Sequence, residues 1–241
     1  DEGAAALGEG LMRNGTLARL TLSSNAIGPA GAAALAVGLE GHRSLRSLSL
    51  ADNILEGAAG CEAARSLLLA PSCLERLWLG GNALGPAAAD ALVPAPPGSA
   101  QLTSLWLERA GVGGAGSRVA QLLAPTSVLC HLWLGGNGLS DDAALALARA
   151  LAGNSTLLKL WLEHNLITLA GARPLLAAAV NGGSLTQLTL EGNDLTADGC
   201  AELEAAAADS NVRLRARREE RLAETHDADS DRISERPPTG G

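Results

Sequence analysis

The stretch CLERLWLGGNAL, Cys73 to Leu84, returns as LCHLWLGGNGL from Leu129 to Leu139, with relatives LTSLWLERAGV from Leu102 and LLKLWLEHNLI from Leu157. All four tryptophans of the chain occupy one slot of this unit. Aligning the first leucine of each copy gives Leu17, Leu45, Leu74, Leu102, Leu129, Leu157 and Leu185, spaced by 28, 29, 28, 27, 28 and 28 residues. A chain that repeats so evenly buries its apolar surface by stacking each unit on the next, which makes it a solenoid.

Within each unit the pattern is Leu-x-x-Leu-x-Leu-x-x-Asn-x-(Leu/Ile/Val), as in Leu17, Leu20, Leu22, Asn25 and Ile27. Leucines two apart put their side chains on one face of a short strand, while the residue between them points the other way. The asparagine falls where the chain turns away, and its amide can satisfy backbone groups that would otherwise be buried unpaired. Asn25, Asn53, Asn82, Asn137, Asn165 and Asn193 should form a ladder that Ala110 interrupts, which predicts a changed turn or a water in the gap. After each turn come small residues and helix formers, with Ser140 and Thr196 placed as helix N-caps. Leu35 and Leu39, and likewise Leu147 and Leu151, are four apart and should face the sheet. Pro94, Pro96 and Pro97 should cut the third helix short, and Gly111 to Gly116 should loosen the start of the fourth. The composition agrees with close stacking of slim units: 47% of the 241 residues are hydrophobic, yet there is no Phe, no Tyr and a single Met.

These motifs resemble the ribonuclease-inhibitor-type leucine-rich repeats, which also form the sensor regions of NLR-type immune receptors and the fold of Ran GTPase-activating proteins. The resemblance implies an α/β leucine-rich-repeat solenoid, a horseshoe arc with a parallel concave sheet and convex helices, here in seven full repeats. It spans residues 3 to about 212 and is specific for fold rather than partner. The expected division is a solenoid over 1–212, starting mid-repeat, and a polar cap with a disordered tail over 213–241. Val212 falls where an eighth unit should begin, which would place Arg215 and Arg217 in leucine slots.

In this register the outward residues between the last two strand leucines are Thr21, Ser49, Trp78, Trp106, Trp133, Trp161 and Thr189. Neighbouring strands lie about 4.8 Å apart, so the indoles should form a contiguous strip on the concave face. An exposed aromatic strip marks a contact site; the alternative is a self-stacked rib that stiffens the sheet. Two residues earlier runs a mildly basic column that includes Arg76, His131 and Lys159, and two residues later a column turning acidic through Glu108, Glu163 and Glu191. Arg109 and His164 follow the acids, where two other units carry Gly80-Gly81 and Gly135-Gly136, bare notches open to a partner's side chains or a relic of duplicated double units. The candidate partner-binding residues are therefore the four tryptophans with Arg76, Glu108, Arg109, His131, Lys159, Glu163, His164 and Glu191.

No catalytic or metal-ligating constellation emerges, since His42, His131, His164 and His226 have no Cys or carboxylate at ligand spacing and no phosphate-cradling loop is present. The expectation is no enzyme, no cofactor and no metal. A net charge of -8 argues against a nucleic-acid partner. No apolar run approaches the roughly 20 residues of a bilayer span, and no signal peptide opens the chain. Cys61, Cys73, Cys130 and Cys200 lack zinc-site spacing and suit reduced thiols, with Cys130 in an exposed slot. Together these point to a cytoplasmic, non-catalytic scaffold that binds a partner protein through its concave, Trp-lined face, as in an NLR-like recognition region. The alternative is a Ran-type GTPase activator, whose small-GTPase partner would engage Arg19 or Arg46.

Overall fold

A computed structural model describes residues 1–70, 73–92, 102–123, 128–182 and 184–217. Eight three-residue strands form one parallel sheet in chain order: β1 Arg19–Thr21, β2 Ser47–Ser49, β3 Arg76–Trp78, β4 Ser104–Trp106, β5 His131–Trp133, β6 Lys159–Trp161, β7 Gln187–Thr189 and β8 Arg213–Arg215. Helices α1 Glu2–Arg13, α2 Pro29–Gly38, α3 Gly57–Leu69, α4 Ala88–Ala91, α5 Asp141–Leu151, α6 Leu169–Gly182 and α7 Ala197–Ala207 carry the chain between them. The register pairs Leu20, Leu48, Leu77, Leu105, Leu132, Leu160 and Leu188 in one row. From Leu48 onward these leucines are at most 1% exposed and, with the helix leucines Leu35, Leu39, Leu147 and Leu151, make one continuous core.

The asparagines do the work their position predicted. Asn53 donates from Nδ2 to the carbonyls of Leu22 (2.9 Å) and Leu50 (3.0 Å) and accepts at Oδ1 from the Ile27 amide (3.0 Å), tying two rungs together. Asn82, Asn137, Asn165 and Asn193 repeat this bridging. At Ala110 the rung bond is missing, yet the turn is unchanged: Arg109 holds φ 53°, matching Asp52 (53°) and His164 (55°). Neighbouring strands on both sides impose that turn, so loss of the side-chain amide leaves the backbone path intact.

The convex side departs from a regular ring of α-helices at two units. Helix α4 has only four residues, and Val112–Leu123 is a 3₁₀ helix. Glycines at 113, 114 and 116 lower the α-helical propensity of its first half, and the 3₁₀ form runs on to Leu123, beyond the loosened start the sequence suggested. The prolines at 94, 96 and 97 lie outside the described residues. Thr196 caps α7 by accepting from the Gly199 amide at 3.1 Å. Ser140 makes no such bond. Instead, Asp141 in the first turn of α5 reaches the next unit, where its Oδ1 accepts from the amides of Thr168 (2.8 Å) and Gly171 (3.1 Å) at the start of α6.

The eighth unit corrects the expected register. Leu188 pairs with Leu214, a 26-residue step, so Leu214 and the buried Ala216 point inward while Arg213 and Arg215 face the concave side. Placing Arg215 and Arg217 in leucine slots would bury two guanidinium groups in an apolar layer, and a one-residue shift turns every side chain over. The sheet thus runs on through Arg215, and the tail over 218–241 lies outside the described residues.

Candidate interaction surface

The parallel register stacks the four indoles in one column, Trp78 on Trp106, Trp106 on Trp133 and Trp133 on Trp161, with ring centroids 4.1, 4.0 and 4.0 Å apart and planes 18°, 13° and 9° from parallel. This spacing is shorter than the ordinary strand separation because flat rings tilt until they touch. The strip is contiguous as the register required, but it is not exposed. Trp78, Trp106, Trp133 and Trp161 are only 6, 2, 4 and 2% exposed. Each inner ring hides both faces against its neighbours, and the column forms an apolar cluster closed by Ala51. His131, edge-on to Trp133 and Trp161, and Lys159, over the Trp161 ring, cover part of what is left. The expected exposed aromatic strip is therefore a packed rib, and its indole faces are not available for stacking on a ligand.

The glycine notches are filled as well. A Cβ on Gly80 would lie 2.9 Å from the Glu108 carbonyl oxygen and 3.2 Å from its carboxylate, and one on Gly135 would lie 3.2 Å from the Glu163 carbonyl oxygen. Gly81 and Gly136, at φ 72° and 66°, sit beneath the side chains of Asp52 and Arg109. Across Gly81, Arg109 donates from Nη2 to Asp52 Oδ1 at 3.1 Å, a contact between residues two rungs apart. The alternation of Gly-Gly with Glu-Arg and Glu-His units is a steric interleaving: small residues in one rung make room for large ones in the next.

The charged columns beside the rib remain partly open. On the strand-entry side Arg76, His131 and Lys159 are partly exposed. The His131 ring meets Trp133 and Trp161 edge-on at 5.9 and 6.3 Å, and its Nδ1 lies 3.3 Å from Ser104 Oγ. Burial, and secondly the nearby Lys159 charge, hold the His131 pKa below its usual value. Lys159 Nζ sits 5.7 Å above the Trp161 ring centroid, a cation–π contact. On the strand-exit side Glu108, Glu163 and Glu191 are partly exposed, while Arg109 and His164 stand out in solvent. Glu191 pairs with Arg215 of β8 at 2.8 Å, a contact hidden from the sequence because it depends on the corrected register. The structure thus brings all twelve predicted residues to one face but divides them into a buried rib of four and charged flanks of eight.

All four cysteines are free thiols, Cys61 and Cys200 buried, Cys73 and Cys130 partly exposed. Among the described residues no group of His, Cys, Asp and Glu is arranged to hold a metal, and no helix is long and apolar enough to cross a membrane.

Residues 13–36 match a family model described as Leucine Rich repeat. No curated protein matches the sequence significantly. Among solved structures, human 5T4 (Wnt-activated inhibitory factor 1, trophoblast glycoprotein) is similar with a TM-score of 0.50 at 22% identity, over 83% of this chain and 70% of that one. Internalin C2 from Listeria monocytogenes gives a TM-score of 0.49 at 19% identity over 89% and 93% of the two chains. The actin-binding site 2 of leiomodin-1 gives 0.39 at 20% identity over 45% of this chain, which spans 64% of the leiomodin-1 chain. The ordered parallel sheet, the helices behind it and the likeness to 5T4 make the fold a leucine-rich-repeat solenoid.

Proposed function

We propose that this chain is a non-catalytic protein–protein interaction scaffold whose concave face holds a partner protein, and that it serves as the recognition region of a larger, NLR-like regulatory protein in the cytoplasm. The observation that carries the reading is the arrangement of the concave face. A rigid aromatic rib supports two columns of opposite charge, positioned by the sheet and partly open to solvent. Pre-ordered side chains lose little entropy on binding, which suits recognition. Four unpaired thiols fit a reducing compartment. The likeness to leiomodin-1 ABS2, an actin-binding site by its title, names one protein class a solenoid of this kind can serve but does not choose the partner here.

A Ran-type GTPase activator would depend on Arg19 or Arg46. Arg46 is paired with Glu75 at 2.7 Å, while Arg19 is exposed at the start of β1. The experiment is quantitative capture from native cytosol with three baits: wild type, Arg76→Glu/Lys159→Glu on the concave face, and Arg149→Glu on the exposed side of α5. A protein retained by wild type and the convex variant but lost with the concave one is expected. Retention unaffected by the concave pair, or abolished equally by the convex change, would refute the assignment.

A further inference from the structure

We propose that the open edge of the sheet, strand β1 with the outer face of α1, is a docking surface for one further leucine-rich unit, stacked parallel and in register and joined to this polypeptide ahead of Asp1. The proposal rests on the reading above of this chain as a region of a larger protein, and adds what adjoins it, which is more solenoid.

The outer face of α1 repeats the face by which α2 receives α1. Gly3, Ala6, Leu7 and Gly10 match Gly31, Ala34, Leu35 and Gly38, each 28 residues on. In α2 these positions are covered: a Cβ on Gly31 would lie 3.0 Å from the Ala4 Cβ, one on Gly38 would strike the Gly8 backbone, and Leu35 is fully buried. In α1 a Cβ on Gly3 or Gly10 would meet nothing within 4 Å, and Leu7 is 42% exposed. Glycine on an exposed helix face weakens the helix and gains nothing unless another backbone comes close. Leu17, 36% exposed against 0% for Leu45, carries the same apolar face on to the sheet.

The strand edge sets the orientation. Among the described residues β1 is paired with β2 alone. The amides of Arg46 and Ser47 donate to the Ala18 carbonyl at 2.9 and 3.2 Å, and their counterparts Ala18 and Arg19 face the open side. At the turn, Asn53 Oδ1 takes the Ile27 amide of the unit before it, and Asn82, Asn137, Asn165 and Asn193 do likewise. Asn25 donates from Nδ2 to its own unit's Leu22 and Ser23 carbonyls, both at 3.0 Å, but its Oδ1 accepts no hydrogen bond among the described residues. An incoming strand must therefore run parallel to β1 and turn beside Asn25 to bring it an amide. A second copy fits neither way. Antiparallel, its β1 would carry its turn to the far end; parallel, its β8 would set the Arg213 guanidinium in the column of Arg19. A unit joined to the chain also bears no separate association cost, which a free partner would.

The test compares the full chain with one lengthened by a second copy of Asp1–Gly28 ahead of Asp1, and with a control carrying those 28 residues in scrambled order. Hydrogen exchange of the Ala18 and Arg19 amides of the inner copy should slow roughly tenfold or more in the lengthened chain only. Gly10→Leu should be harmless in the full chain, where the new side chain starts in open space, and should remove that protection when placed in the inner copy. Peptide mapping of the polypeptide purified from its own cells should show leucines 28 residues ahead of Leu17, Leu20 and Leu22. Equal exchange in all three chains, protection that survives Gly10→Leu, or an unrelated sequence ahead of Asp1 overturns the proposal. A full chain that sediments as a dimer with Ala18 and Arg19 already protected also overturns it, in favour of a second copy. None of these readouts involves a partner on the concave face, so their failure leaves the capture experiment on the scaffold to be decided separately.

Discussion

Replacing Trp106 by alanine tests whether the indole column is a structural rib. Trp106 is 2% exposed and lies between two rings at 4.1 and 4.0 Å. Truncating a buried tryptophan costs about 3–5 kcal/mol, and each stacked pair adds about 0.5–1.5 kcal/mol beyond area. Trp106→Ala breaks two pairs, whereas Trp78→Ala at the end of the column breaks one. The expected loss is therefore about 4–8 kcal/mol at Trp106 and about 1 kcal/mol less at Trp78. Urea unfolding followed by far-ultraviolet circular dichroism reads both values, provided the denaturant slopes stay constant. A double-mutant cycle between Trp106 and Trp133 should add a coupling above about 0.5 kcal/mol. A loss below about 1 kcal/mol at Trp106, or equal losses at both positions with no coupling, would refute the rib and restore the reading of the strip as a solvent-facing contact.

Gly81→Ala should destabilise by about 1–2 kcal/mol, because it forces a side chain into left-handed backbone at φ 72° beneath Asp52, whereas Arg109→Gly at the equivalent φ 53° should be neutral or slightly stabilising by thermal melting. His42 Nδ1 accepts from the amides of Ser44 (3.4 Å) and Leu45 (3.1 Å), as the Oδ1 atoms of Asn14 and Asn154 accept from the amides two and three residues on, each three residues before its unit's first leucine; His42→Asn should keep these bonds, while His42→Ala should cost about 1–3 kcal/mol in the same unfolding assay. Since the folded pKa of His131 lies below its ordinary 6.5, the unfolded chain binds the extra proton first, so stability should fall as pH drops below 6.5 until the folded value is passed, and that slope should vanish in His131→Gln. Burial raises the pKa of Cys61 and, with Glu204 adding and Arg217 opposing, of Cys200, so a thiol reagent at pH 8 should label Cys73 and Cys130 in the native protein and all four cysteines only after denaturation.

Much of this molecule is legible in its repeat. A leucine pattern at constant period places Leu48, Leu77 and their counterparts inward, Asn53, Asn82 and their counterparts at the turns, and the tryptophans in a single column, because covalent spacing alone decides which residues share a row. Thr196 as a cap follows from local chemistry in the same way. Ser140 and the 3₁₀ helix at Val112–Leu123 show the limit: Ser140 leaves its own helix uncapped while the neighbouring Asp141 reaches the start of α6 in the next unit, and a glycine-rich segment takes the conformation its neighbours leave room for.

The period says that Trp78 and Trp106 are neighbours, but not that their rings close to 4.1 Å and shut water out of the column. Nor does it say that Glu108 and Glu163 fold into the space above Gly80 and Gly135, or that Arg215 swings onto Glu191 once the last strand slips by a residue. These outcomes depend on how far side chains from adjacent rungs reach over one another, a question of shape and burial in three dimensions that has no counterpart along the chain. Spacing therefore assigns twelve residues to a face, and packing divides them into four buried in the rib and eight that stay partly or fully open to solvent.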